Sequence, residues 1–378
     1  MSLNVRDNTD IQRTESVVRR GGPSSRPAAA EPEGSALRGG QRRPSGPLNV
    51  LITAGSRRVP LVQAFQRAVR ATGGGAVIVT DVNPLSPTVY IADRAYQVPL
   101  STDPGYLEAI DRLCRAERIG LLIPTIDDEL MRFAEAAPAL AAAGVRVAVS
   151  SIETTRACND KHETARVLSA AGLPVAATYL PAEVPAAAFP LFIKPRFGRG
   201  GVGAFPVADA RQLRFFVDYV PEPVLQPYLD GPEFTIDVLC DFDGTPLSVV
   251  PRERVVVRAG VVDRGRTVKD PRLIDLGVAC ARALGAVGAI NIQCRVTAQG
   301  PVIFEINPRF SGGIPLTIAA GADFPGMLVQ LARGRRVRPS IGRFQDGLWM
   351  TSYETSVFVD AASIGFSSSA MRATPEVA

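Results

Sequence analysis

The chain has 378 residues, enough for two or three structural units around substantial cores. Its hydrophobic share of 46% and charged share of 21% are those of a soluble globular protein, and no apolar run reaches the roughly 18 residues of a membrane span. The net charge is +5, but only Lys161, Lys194 and Lys269 among 42 basic residues are lysine, and the arginines are spread without a basic helix or aromatic interleaving, so nucleic acid is not an expected partner. Five dispersed cysteines without a C-x-x-C pair read as buried thiols in a reducing cytoplasm, and the absence of an N-terminal apolar segment argues against secretion.

Residues 1–46, rich in Gly, Pro, Ser and Arg, read as a disordered arm. A short buried strand is predicted at 48–53, then the turn Gly55-Ser56-Arg57-Arg58 and a helix with Val62, Phe65 and Val69 on one face. Further strands are predicted at 76–80, 120–124 and 145–149, with helices at 106–117 and after Asp127-Asp128-Glu129. This alternation argues for a parallel α/β sheet. Beyond Ser150 the pattern changes: helices near 159–171 and 209–220 flank Leu191-Phe192-Ile193-Lys194. Extended runs follow at 233–240, 246–250 and 254–257, then a helix at 272–285 and strands at 289–296 and 301–306.

The segment Gly198-Arg199-Gly200-Gly201-Val202-Gly203 matches G-x-G-x-x-G, a weak signal by itself. It does not open a βαβ unit, its lysine precedes the glycines, and H-R-D, D-F-G and G-K-[ST] are absent, which sets aside dinucleotide, kinase and P-loop readings. A hairpin loop whose amides close over phosphates remains, against the plainer alternative of a flexible surface turn. Alternation places Asn291 and Gln293 on one strand face, and Glu305 and Asn307 on one face of the next strand. Such hard oxygen ligands suit magnesium completed by waters and phosphates, with Arg309 beside them to hold a phosphoryl group. The competing reading is an edge hairpin of solvated polar residues.

Taken in order, Lys161, Ile193-Lys194-Pro195, the glycine loop, Gln226-Pro227-Tyr228-Leu229-Asp230-Gly231-Pro232-Glu233, Gln293 and Glu305-Ile306-Asn307-Pro308-Arg309 resemble the ATP-grasp superfamily over residues 48–345. The flavour is that of single-module relatives of the carbamoyl-phosphate synthase large subunit. The resemblance implies an α/β and α+β architecture, an ATP-grasp fold preceded by a Rossmann-like parallel-sheet domain. Its implied divisions are the arm at 1–46, the N-terminal α/β domain at 47–150, a lid subdomain at 151–222, a C-terminal ATP-grasp subdomain at 223–345, and a terminal strand with a flexible tail at 346–378.

The implied cofactors are ATP and Mg2+ or Mn2+. By resemblance, Lys161 and Lys194 contact the nucleotide phosphates, and Gly198, Gly200, Gly201 and Gly203 form the mobile lid. Gln226, Tyr228 and Leu229 meet the adenine and Glu233 the ribose. Gln293, Glu305 and Asn307 surround the metal, and Arg309 with Lys194 serves catalysis. Gln226-Pro227 stands where Glu-Lys or Gln-Glu is commoner, and one module is present where full carbamoyl-phosphate synthase has two.

Outside these motifs, His162 reads as a surface group, and Arg57, Arg58 and Asp127 to Glu129 lie at strand ends where α/β sheets place ligands. One or two of Arg252, Arg254, Arg258, Arg266 and Lys269 are expected to clamp an acidic substrate. The expected activity is that of an ADP-forming ligase joining a small carboxylate to an amine through an acyl phosphate. Its rivals are a bicarbonate- or carbamate-phosphorylating enzyme and a non-catalytic ATP-binding regulator. Expected partners are those small molecules and a second copy of the chain, with no membrane.

Overall fold

The structure, a computed structural model, describes residues 46–185, 189–198, 200–258 and 260–365. The arm at 1–45, the tail at 366–378 and Arg199 of the glycine loop lie outside the described residues. Among the described residues, no helix is long and apolar enough to cross a membrane.

The chain opens with β1 (Asn49–Ile52), α1 (Val59–Ala71), β2 (Val77–Asp81), β3 (Arg94–Gln97), α2 (Tyr106–Ala116), β4 (Ile119–Ile123), α3 (Asp127–Ala142) and β5 (Arg146–Val147). The strands form a parallel sheet in the order β3-β2-β1-β4-β5. Runs such as Val77-Ile78-Val79 are buried on both faces, as a parallel sheet covered by helices requires. One face packs against α2 and α3 through Leu51, Ile78, Ile110 and Phe133. The other joins a larger core that continues through Val50, Phe65, Phe310 and Phe324 into the rest of the molecule.

Two short helices follow, α4 (Ile152–Asn159) and α5 (Lys161–Ala170), where a single helix is predicted near 159–171. Asp160 causes the break: its side chain accepts from the backbone N–H groups of His162 and Glu163, capping α5. Next come β6 (Leu191–Pro195), β7 (Phe205–Val207), α6 (Ala210–Tyr219) and β8 (Pro223–Pro227). These strands make a small antiparallel sheet, β7-β6-β8, around Leu191, Ile193, Val207 and Leu225. Strand β8 lies past position 222, the expected end of this unit, yet it pairs with β6.

The remainder comprises β9 (Glu233–Cys240), β10 (Pro246–Arg258), β11 (Val261–Thr267), α7 (Pro271–Leu284), β12 (Gly288–Thr297), β13 (Gly300–Asn307), α8 (Ile314–Ala319), α9 (Phe324–Ala332) and β14 (Trp349–Thr351). The strands form an antiparallel sheet in the order β13-β12-β9-β10-β11-β14. Strand β10 is continuous across Pro251, where two runs are predicted. Pro251 O accepts from Val268 N–H, so its ring nitrogen faces the β11 side, and pairing with β11 starts only at Arg252.

Candidate functional site

The antiparallel register of β12 and β13 sets Asn291 opposite Asn307 and Gln293 opposite Glu305. All four therefore share the face opposite to buried Ile292 and Ile306, as their alternation predicts. Asn307 Nδ2 donates to Glu305 Oε1 at 3.2 Å and to Asn291 Oδ1 at 3.4 Å. Between the Gln293–Glu305 and Cys294–Ile303 pairs the register shifts by one residue, leaving Phe304 as a β-bulge. The Phe304 carbonyl accepts from Lys194 Nζ of β6 at 3.0 Å and from Gln226 Nε2 of β8 at 3.4 Å. Lys194 also lies over the Phe304 ring, 5.2 Å from its centroid.

Glu305, Ile306 and Asn307 line a cleft with Asp127, Cys158, Asn159, Lys161 and Gly198. The cavity they enclose holds about 10 Å³, room for roughly one water. Lys161, at the first turn of α5, donates to Gly198 O at 2.9 Å, and Gly260 lies close enough to Gly200 that a Cβ on Gly260 would come within 2.8 Å of Gly200 O. Gly198 thus brings the β6–β7 connection to the cleft, and φ is positive at Gly198, Gly200, Gly201 and Gly203.

Burial holds the Lys194 ammonium down to about 8, with Glu305 opposing the shift and Lys161 adding to it. Burial also lowers Lys161, against the attraction of Glu305, Asp127 and Asp160. Of the two carboxylates at the cleft, Asp127 is paired with Arg309, which leaves Glu305, with the amide oxygens of Asn307 and Gln293 nearby. Among the described residues no three His, Cys, Asp or Glu side chains gather as a metal cluster. A lone carboxylate with amides fits magnesium, which keeps several waters and is completed by phosphates. Gln293 faces Glu305 across the ladder but does not line the cavity.

Several predicted site residues already hold partners. Arg309 makes a bidentate pair with Asp127, Nε at 2.9 and 3.0 Å and Nη2 at 2.7 Å, with both side chains 12% exposed. Glu233 is held by Arg254 Nε at 2.7 Å and Arg295 Nη2 at 3.1 Å, so both carboxylate oxygens are engaged. Gln226 also donates to Thr178 Oγ1 at 2.9 Å. The Tyr228 N–H is spent on Pro190 O at 3.0 Å, which removes that donor from the expected hinge contact and leaves the half-buried Leu229 beside it.

The expectation of an arginine clamp on β10 needs correction for Arg252. Its Nε pairs with Asp237 Oδ2 at 2.7 Å and its Nη2 with Ser311 Oγ at 3.0 Å, in a pocket sealed by Gly313 and Val262. A Cβ on Gly313 would lie 2.4 Å from Arg252 Nη1, so no space remains there for a substrate. Arg254 is committed to Glu233 and to Gly260 O. Of the acidic turn, Asp127 reaches the cleft, whereas Glu129 is fully buried and accepts from Thr53 Oγ1, Tyr106 OH and Thr125 N–H. Cys158 and Asn159 line the cleft without a sequence signal to mark them. His162 lies 3.6 Å from Glu183 at the surface, and all five cysteines are free and buried.

Two family patterns match the chain. One is described as ATP-grasp in the biosynthetic pathway with Ter operon, over residues 219–356; the other is the PylC-like N-terminal domain, over 50–148. An uncharacterized protein, y4rH, of Sinorhizobium fredii (strain NBRC 101917 / NGR234) is 30% identical over 213 residues, 49% of this chain and 44% of that protein. The carbamoyl phosphate synthase arginine-specific large chain of Bacillus subtilis (strain 168) is 27% identical over 266 residues, 64% of this chain. The match spans 25% of that synthase, so the chain covers less than half of either curated relative. Among solved structures, biotin carboxylase from Campylobacter jejuni in complex with β-γ-ATP superposes with a TM-score of 0.63 at 16% identity, covering 79% of this chain and 74% of that one. L-amino acid ligase from Bacillus licheniformis gives 0.62 at 19%, covering 77% of each chain.

Proposed function

The chain belongs to the ATP-grasp superfamily, and from that premise we propose that it is an ADP-forming ligase that activates a small carboxylate as an acyl phosphate for attack by an amine. The observation that carries this reading is the convergence of Glu305, Asn307, Lys161 and Gly198 of the glycine loop on one cleft, with Arg309 bonded to Asn307 Oδ1 at its edge. Magnesium, when bound, would draw charge from the phosphate oxygens; Glu305, Asn307 and Gln293 are the residues to hold it.

Lys161 and Lys194 would neutralise the triphosphate, each trading a backbone carbonyl for a phosphate oxygen. Because a nucleotide site measures about 300 Å³ or more, the loop must swing off Gly260 and Lys161 to admit ATP. On return it would exclude the water that hydrolyses an acyl phosphate. Arg309 would then face the transferred phosphoryl group. A screen of ADP release with Mg-ATP across carboxylic acids and amines tests the reading. Nucleotide binding with no acid–amine pair raising ADP output would sink it in favour of a regulator.

A second reading has one observation behind it, the similarity to carbamoyl phosphate synthase over 64% of this chain. In that case bicarbonate alone would drive ADP release. Labelled bicarbonate in the same assay separates the two.

A further inference from the structure

Arg309 and Asp127 lie 182 positions apart, one after β13 and the other opening α3 of the parallel-sheet unit. Asp127 is the first residue of that helix. It takes the Nε and Nη2 edge of the guanidinium, Asn307 Oδ1 takes the second Nη2 hydrogen at 3.1 Å, and Phe310 O takes one from Nη1 at 3.2 Å. Among the described residues these contacts occupy four of the five N–H groups and leave one on Nη1. The guanidinium is thus held at Nε and at both Nη atoms, and it can present only the remaining Nη1 N–H to a further acceptor.

A bidentate pair between two units is commonly a brace, but here the bracing is done by other groups. Arg58 Nη2 donates to Thr125 O at 2.8 Å and its Nη1 to Phe310 O at 3.2 Å, tying the same two loops together. Glu129 anchors the 125–126 turn to Thr53 and Tyr106. Asp127 is therefore dispensable for holding the loops, while it lines the cleft beside Lys161, Glu305 and Asn307.

We propose that Asp127 is a positioning residue that aims Arg309 at the transferred phosphoryl group, so that the parallel-sheet unit supplies part of the cleft's chemistry. This rests on the ligase reading above. A different arrangement, in which Asp127 masks Arg309 until an anion displaces it, would give the opposite sign on mutation.

The test uses the full chain, titrated by calorimetry with Mg-ADP and then with Mg-ADP plus aluminium fluoride, a mimic of the phosphoryl group in transfer. Asp127→Asn is expected to leave Mg-ADP affinity within about twofold and to weaken the fluoride complex about tenfold or more, the usual scale for losing an orienting partner. Asp127→Glu should recover part of that loss, and adding Arg309→Lys to Asp127→Asn should cost little further. Equal or tighter fluoride binding by Asp127→Asn overturns the proposal, as does its failure to fold, which would make the contact a brace. A wild-type chain that binds no Mg-ADP removes the ligase reading itself and the proposal with it. A wild-type chain that binds the fluoride complex no better than Asp127→Asn removes only the role of Asp127.

Discussion

Arg252 and Asp237 form an ion pair at 2.7 Å between neighbouring strands, with each side chain 1% exposed. Ser311 and Thr317 bond to it, yet Arg252 Nη1 and Asp237 Oδ1 have no hydrogen-bond partner among the described residues. Two charges this deep are costly to desolvate, and removing one strands the other. Asp237→Ala is expected to cost about 3–5 kcal/mol in urea unfolding, whereas replacing both residues with apolar ones should cost far less. Equal losses from the single and double variants would show that shape, not charge, governs the site.

Glu305→Gln keeps the shape of the strand but removes the carboxylate from the proposed magnesium set. ADP formation is expected to fall on the order of a hundredfold, with the loss eased by raised magnesium. Near-normal turnover would displace the site. Lys194→Ala should weaken Mg-ATP binding, while Lys269→Ala should leave it intact, because Lys269 lies over Phe344 at 5.2 Å, away from the cleft.

The Lys194 ammonium, ordinarily near 10.5, is held at about 8 by burial. Between these values the unfolded chain keeps a proton that the folded chain gives up, so through this group stability rises with pH across that window. Phosphate affinity runs the other way, since the neutral amine attracts no anion. At pH 9 about a tenth of Lys194 remains charged, so Mg-ATP should bind several-fold more weakly than at pH 7. Lys194→Arg should flatten that slope. Calorimetry at the two pH values in both proteins checks it, and parallel slopes would remove Lys194 from the phosphate site.

Gly260 has φ +75°, and a Cβ there would approach Gly200 O to 2.8 Å. Gly260→Ala is expected to keep the glycine loop from seating, raising ATP hydrolysis uncoupled from product while leaving thermal stability within about 1 kcal/mol. Stopped-flow release of ADP should also quicken. Unchanged coupling would mean the two loops need not touch during turnover.

Strands β1, β2 and β4 of the parallel sheet were legible because each is built on a run of buried apolar residues; β3, Arg94-Ala95-Tyr96-Gln97, was not, since its buried pair sits between polar ends. The split at Asp160 had a usable signal, an aspartate three residues before Glu163 at a helix start. Period-two alternation made the common face of Asn291, Gln293, Glu305 and Asn307 readable. No such rule joins Asp127 to Arg309 or Arg252 to Asp237. Those contacts depend on how separate elements dock, and local spacing carries no trace of that. The partners of Glu233 were hidden for the same reason: Arg254 and Arg295 come to it from two flanking strands.

The surplus residue at Phe304 carries a cost and a use. Deleting it would restore an unbroken ladder, with Ile303 beside Glu305 and both still opposite their present neighbours. The hairpin would become more regular, and Lys194 and Gln226 would lose their shared anchor. Part of what joins the small sheet to the large one is thus an imperfection in the pairing, and a variant selected for a flawless hairpin would be expected to weaken that join.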